Sequence, residues 1–396
     1  MRANRILLLL ILFVFLPIPA HAAAKTLDST PPATPASCNE PFVLPSKAFG
    51  VVCKPDGWLG DVVVYAHGYV DPTSTKLEFA NLEVPQPDGS TFSLPAFAQS
   101  FGYAFAATTY RRNGLVVQEG VEDIRELVAA LPEKLGRQPR RVFVLGFSEG
   151  GIIATLFAER NPLLLDGVLA ACGPIGDFGL QTQYFTDFRV LFDYYFPNAL
   201  PEATTAITIE QSVIDIWDTV YVPKITQLLT TNPISATELI TDSGAAIDRT
   251  TPALAEQTTI STTLDVLRYN VFSTNDARER LGGNPYDSSV LRARFPERNL
   301  PQYTADITAT QALAAYMTTG NVAVPLVTAH TTGDQIVPIV QQELYAAKAS
   351  GNGFVSHKTI PRYGHCNFGF DLLGPFIDLT RQGRNLRRVF LPVAIR

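Results

Sequence analysis

Arg141-Val142-Phe143-Val144-Leu145-Gly146-Phe147-Ser148-Glu149-Gly150-Gly151, RVFVLGFSEGG in one-letter code, is the stretch that decides the architecture of this chain. Val142 to Leu145 is a short apolar run of strand-forming residues. Ile152 to Arg160, directly after it, has the composition of a helix. Between them stands a G-x-S-x-G pattern. A serine between two glycines at a strand-to-helix turn is held on a sharp bend with its hydroxyl projecting above the sheet. Only glycine leaves room there for the neighbouring strand and helix.

Outward from this turn the same rhythm repeats. Asp61 to Ala66 (DVVVYA) and Gly102 to Thr109 (GYAFAATT) read as strands, and Val121 to Leu131 has helical apolar spacing. Leu165 to Ala171 reads as the next strand. The rhythm resumes with strands at Val322 to Ala329 and Phe354 to Ile360, and with helices at Val340 to Ala347 and Phe370 to Thr380. Near-continuous apolar strands alternating with helices imply a mostly parallel sheet covered on both faces, an α/β fold. Between Gly176 and Gly320 strand runs are scarce, and stretches such as Ser212 to Val220 and Ile260 to Tyr269 look helical. That length is too great for a plain loop, so a large helical insertion over the sheet is expected. The expected organisation is therefore a leader over 1–22, an arm over 23–48, core over 49–175, a helical lid over 176–320 and core again over 321–396.

The leader reads as a signal peptide. Arg2 and Arg5 precede the apolar run Ile6 to Leu16, Pro17 and Pro19 break it, and Ala20-His21-Ala22 offers small residues for cleavage. The run is short for a bilayer, which needs about 20 apolar residues, so no stable membrane insertion is expected. Export to the periplasm or the medium places the four cysteines in an oxidising compartment. Four cysteines allow three pairings. Cys38–Cys53 is favoured because it ties the arm to the first strand, which leaves Cys172–Cys366. No Cys-x-x-Cys or His/Cys spacing points to a metal, and no cofactor is implied. A net charge of −6 argues against nucleic acid as a partner. The clusters Arg137/Arg140/Arg141 and Arg384/Arg387/Arg388 read as solvated element ends.

With the Ser148 turn in this context, the chain resembles the α/β-hydrolase superfamily from about Phe49 to Thr380, the insertion apart. The resemblance implies a triad in the chain order nucleophile, acid, histidine. Of five histidines, only His365, in Tyr363-Gly364-His365-Cys366, follows the last strand and has that order. Asp334, in Thr332-Gly333-Asp334-Gln335, follows a strand and precedes a helix, where a carboxylate can orient an imidazole. Its competing role is a helix N-cap, and Asp177 is the alternative acid. The oxyanion hole is expected from the backbone N–H groups of Glu149, after the nucleophile, and of Tyr69, in the His67-Gly68-Tyr69 turn. The Glu149 side chain either caps, pairs with a cation such as Arg111, or points to solvent. Secreted feruloyl esterases and tannases also carry a cysteine beside their histidine. Their partner cysteine precedes the serine, where this chain has Phe147, so that similarity is partial.

Together these residues imply an exported serine hydrolase acting on a small or medium, partly apolar or aromatic carboxylic ester through an acyl-enzyme. Tyr69, Phe147, Tyr184 and Phe188 are the expected substrate-binding residues. An exported peptidase of the prolyl-oligopeptidase type and a non-catalytic binding protein on the same scaffold are the alternatives.

Overall fold

The computed structural model describes residues 28, 30–32, 38–85 and 91–390. The expected leader and most of the arm lie outside the described residues, as do the side chains of Arg384, Arg387 and Arg388. Among the described residues there are ten strands: β1 (Phe42–Val43), β2 (Phe49–Cys53), β3 (Asp61–Ala66), β4 (Glu83–Pro85), β5 (Thr91–Ser93), β6 (Ala104–Thr108), β7 (Arg141–Phe147), β8 (Gly167–Ala171), β9 (Leu326–Gly333) and β10 (Val355–Tyr363). Eight form one sheet in the order β1-β2-β6-β3-β7-β8-β9-β10, and β4 and β5 form a separate hairpin. From β6 to β10 every neighbour runs parallel; β1 and β2 at the edge are antiparallel. This is the mostly parallel sheet that the strand rhythm predicts. β2, β3, β6 and β8 are buried along their whole length, which explains why they do not alternate.

Helices pack on both faces. Val117–Leu135 and Glu149–Arg160 lie on one side with Ile124, Leu127, Ile153 and Phe157 fully buried. Leu373–Phe390 covers the other side, where Phe376 and Leu379 join the core beneath β8 and β9. Each such side chain removed from water contributes roughly 1.5–3 kcal/mol. Arg141 departs from the solvated reading. It is 3% exposed, pairs with Asp61 and donates to the Thr380 carbonyl at 3.0 Å. Arg140 pairs with Asp61 at 2.8 Å from the surface side.

Between β8 and β9 all the regular elements are helical, the longest being Phe178–Tyr195 and Pro252–Leu281. They gather a core of their own around Phe188, Phe192, Trp217, Ile225, Leu239, Val266 and Leu267. Ile336 and Val337, just beyond β9, belong to that core, so the turn after β9 is gripped from above. The two pairs of cysteines are bonded as expected, Cys38–Cys53 and Cys172–Cys366. Among the described residues no helix is long and apolar enough to cross a membrane.

Candidate active site

The turn at the end of β7 has the geometry that the glycines require. Ser148 adopts φ 56° and ψ −125°, a strained conformation for a residue with a side chain. A Cβ on Gly146 would stand 2.0 Å from the Gly150 carbonyl oxygen, and one on Gly150 would stand 2.0 Å from the Ala66 oxygen. Neither position admits any other residue. The strand and helix can then cross closely enough to lift Ser148 above the carboxyl ends of β7 and β3.

Ser148 Oγ lies 2.9 Å from His365 Nε2. The other ring nitrogen, Nδ1, is 2.8 Å from Asp334 Oδ2 and 3.0 Å from Oδ1. Asp334 follows β9 and is 2% exposed. Its Oδ1 also accepts the N–H groups of Ile336 at 2.9 Å and Val337 at 2.8 Å. Asp334 does not cap the next helix, Val340–Lys348, whose N-cap is Ile339; its carboxylate closes the turn after β9 and faces the imidazole at once. Burial pushes this carboxyl up. The His365 charge, then hydrogen bonds from His330 and His365, outweigh that and hold it far below the usual carboxylate range.

The histidine turn is braced from several directions. The His365 N–H donates to Gln335 Oε1 at 3.0 Å, and Gln335 Nε2 donates to Asp265 Oδ2 at 3.0 Å on the long helix. Thr331 Oγ1 donates to the Gly364 carbonyl at 2.8 Å. Tyr363 Oη is 2.8 Å from Thr262 Oγ1. Cys366, next in sequence, is bonded to Cys172 at the end of β8, with its Sγ 3.5 Å from His365 Nε2. Cys172, His365 and Cys366 therefore cluster, which spacing alone does not reveal. The two sulfurs are bonded to each other, so the group is a bridge beside an imidazole rather than a ligand set.

The remaining candidates have other partners. Asp177 caps the helix Phe178–Tyr195 by accepting from the Leu180 N–H at 3.0 Å. His67 is buried against Tyr110, with Nδ1 2.7 Å from the Gly68 carbonyl, and burial pulls it down to about 4. His330 Nε2 donates to the Val337 carbonyl at 2.8 Å, and His357 Nδ1 meets Thr328 Oγ1 at 2.8 Å.

A cleft open to solvent lies beside Ser148. Tyr69 lines it, as expected. Phe147, Tyr184 and Phe188 do not. Phe147 turns to the opposite side of the sheet against Tyr65 and Phe368. Tyr184 donates its hydroxyl to the Gln335 carbonyl at 2.7 Å, and Phe188 is fully buried in the helical core. The apolar wall is instead Leu115, Phe178, Phe185, Tyr269, Ile336 and Val337. Phe178 and Phe185 are seven residues apart on one helix face, a spacing that marks a face without saying what it meets.

Glu149 does not reach Arg111, which pairs with Asp123 at 2.6 Å. It is 4% exposed, and its Oε1 accepts the Val116 N–H at 2.9 Å. Burial pushes this carboxyl up to about 8. The Val116 bond pulls it back, Asp276 adds to the rise, Arg112 opposes it and Glu119 adds again. Below that value Glu149 is a neutral acid.

No family model matches the chain, and no curated protein matches it by sequence. Among solved structures, it is similar to an acylaminoacyl peptidase of Pyrococcus horikoshii at 14% identity and TM-score 0.41, over 87% of this chain. The chain spans 40% of that peptidase. It is also similar to a membrane phospholipase A described as a bacterial virulence factor, at 12% identity and TM-score 0.42, over 88% of both chains. An esterase of Pyrococcus furiosus is similar at 12% identity and TM-score 0.42, over 88% of this chain and 90% of that one. At these TM-scores the likenesses carry no argument of their own. The strand order and the turn at Ser148 define the fold.

Proposed function

We propose that this chain, whose fold is that of the α/β-hydrolases, is an exported serine hydrolase that cleaves carboxylic esters. The observation carrying the reading is the contact chain Ser148 Oγ–His365 Nε2 at 2.9 Å and His365 Nδ1–Asp334 Oδ2 at 2.8 Å. A serine hydroxyl is a weak nucleophile until a base takes its proton. In the proposed mechanism Ser148 Oγ attacks the ester carbonyl carbon while His365 Nε2 receives the proton. Asp334 holds the imidazole in the matching tautomer and stabilises its cation. The oxyanion is held by the N–H of Glu149, which opens its helix and so has no acceptor within it, and by that of Tyr69. Gly68, just before Tyr69, packs so closely that a Cβ there would lie 3.1 Å from Ser148 Cβ, which brings this turn over the nucleophile. Collapse of the adduct returns the proton to the departing alcohol. Water, activated by His365, then releases the acid.

The apolar cleft supports a small or medium ester with an apolar or aromatic part, and the helical segment above it supports the role of a lid. Two disulfides support an exported destination. A fluorophosphonate probe is expected to label the purified protein, and Ser148→Ala to abolish both labelling and hydrolysis of p-nitrophenyl esters. An unlabelled native protein removes the catalytic reading. Turnover of aminoacyl-anilides without turnover of esters replaces it with a peptidase.

A further inference from the structure

Three hydroxyls around the cleft are spent on backbone carbonyls. Thr182 donates to Gly179 at 2.7 Å, Ser273 to Tyr269 at 2.6 Å and Tyr69 to Phe272 at 3.3 Å. Two lining residues break that pattern. Glu149 Oε2 and Gln181 Oε1 are buried and have no hydrogen-bond partner among the described residues. Both residues are 4% exposed. In each, the other polar atom is engaged. Glu149 Oε1 accepts from Val116, and Gln181 Nε2 donates to the Ile336 carbonyl at 2.8 Å, which fixes the orientation of the amide. A buried polar atom without a partner is costly, and native structures leave few of them. Both belong to residues that line one cleft beside the nucleophile, where a ligand that shifts the wall slightly can supply what they lack.

Glu149 offers an O–H while it is neutral, and Gln181 Oε1 is an acceptor. A hydroxyl, which both accepts and donates, suits the pair; a plain alkyl chain suits neither. Resting on the esterase reading above, we infer that the part of the ester seated in this cleft carries a hydroxyl group, and that Glu149 and Gln181 are the residues that select for it. Facing Glu149 are Asp276 from the long helix, Arg112 and Glu119 from the segment before and within Val117–Leu135, and the phenols of Tyr69, Tyr110, Tyr269 and Tyr316. Glutamine at this position keeps both the bond to Val116 and an N–H donor at all pH values. Leucine keeps neither.

The test compares ethyl esters of hydroxyalkanoic acids, and hydroxyalkyl acetates, with their unhydroxylated counterparts of equal length. Acid release is followed in a pH-stat and normalised to fluorophosphonate-reactive enzyme. Wild type at pH 7 is expected to favour at least one hydroxylated ester by about tenfold or more in kcat/KM, the effect of one hydrogen bond to a buried group. That ratio should collapse toward one in Glu149→Leu and survive in Glu149→Gln. In wild type it should fall as pH rises past about 8, and in Glu149→Gln it should stay flat. No preference anywhere in the series, or an unchanged ratio in Glu149→Leu, overturns the inference while leaving the labelled serine intact. A wild type that the probe does not label takes the esterase reading and this one down together.

Discussion

In the proposed triad, Asp334 is one side chain given both a structural and a chemical task. Oδ1 ties down the Ile336 and Val337 N–H groups, and Oδ2 faces the imidazole. Asp334→Asn preserves an acceptor for the two amides but presents an N–H donor to His365, which forces the wrong tautomer on the ring. Melting temperature is expected to fall modestly, because the favourably held charge is lost, and kcat to fall by roughly 10³–10⁴ with KM unchanged. A drop under tenfold in steady-state kinetics refutes the assigned role. Glu149 makes a prediction about stability. Its carboxyl is raised from 4.5 unfolded to about 8 folded, so the native state holds the proton more tightly. The stability it contributes is complete below pH 4.5 and is lost as pH rises through about 8. Relative to Glu149→Gln, denaturant titrations of wild type should therefore show a decline of a few kcal/mol across that window. Asp276, raised to about 6, adds to the slope in both proteins and cancels in the difference. Equal slopes count against a buried neutral acid.

At the scale of elements, the turn from β7 into the helix Glu149–Arg160 depends on two missing side chains. Gly150→Ala places a methyl group 2.0 Å from the Ala66 carbonyl oxygen, where only backbone movement can relieve it. A loss of at least about 3 kcal/mol or failure to fold is expected, measured by thermal melting. Gly374→Ala, where an added Cβ meets nothing within 4 Å, is the control and should be neutral. The elbow and the strands around it were legible because each is written locally, in a motif or an apolar run; the choice of Asp334 and His365 rested on the chain order that the resemblance implies. The cleft was not. The aromatic residues of Phe178–Tyr195 announce a packed helix, but the direction in which each ring points is set by partners far away in sequence. Phe185 stacks on Tyr269 across the cleft, whereas Phe188, three residues on, sinks into the helical core. Glu149 was open for the same reason, since its partner Val116 belongs to another element. The solvated reading of Arg141 failed because Asp61, its partner, lies on a neighbouring strand.

Across the whole molecule, the bond between Cys172 and Cys366 couples the sheet to the histidine turn. The double variant Cys172→Ser/Cys366→Ser removes a constraint worth about 2–4 kcal/mol and lowers the melting temperature by roughly 5–10 °C. The loss should extend to activity, because the turn carrying His365 is then held only by hydrogen bonds such as those to Gln335 and Thr331. Full activity and an unshifted melt after reduction, or four free thiols in the oxidised protein, would discard that role. The sequence separation of this bond, 194 residues, has one more effect. It closes a ring that contains the whole helical segment together with Asp334. A protease that nicks any exposed connection within that ring leaves both pieces joined, migrating as a single band until a reductant parts them. Serine and imidazole thereby stay on one covalent particle even after the backbone between them has been severed.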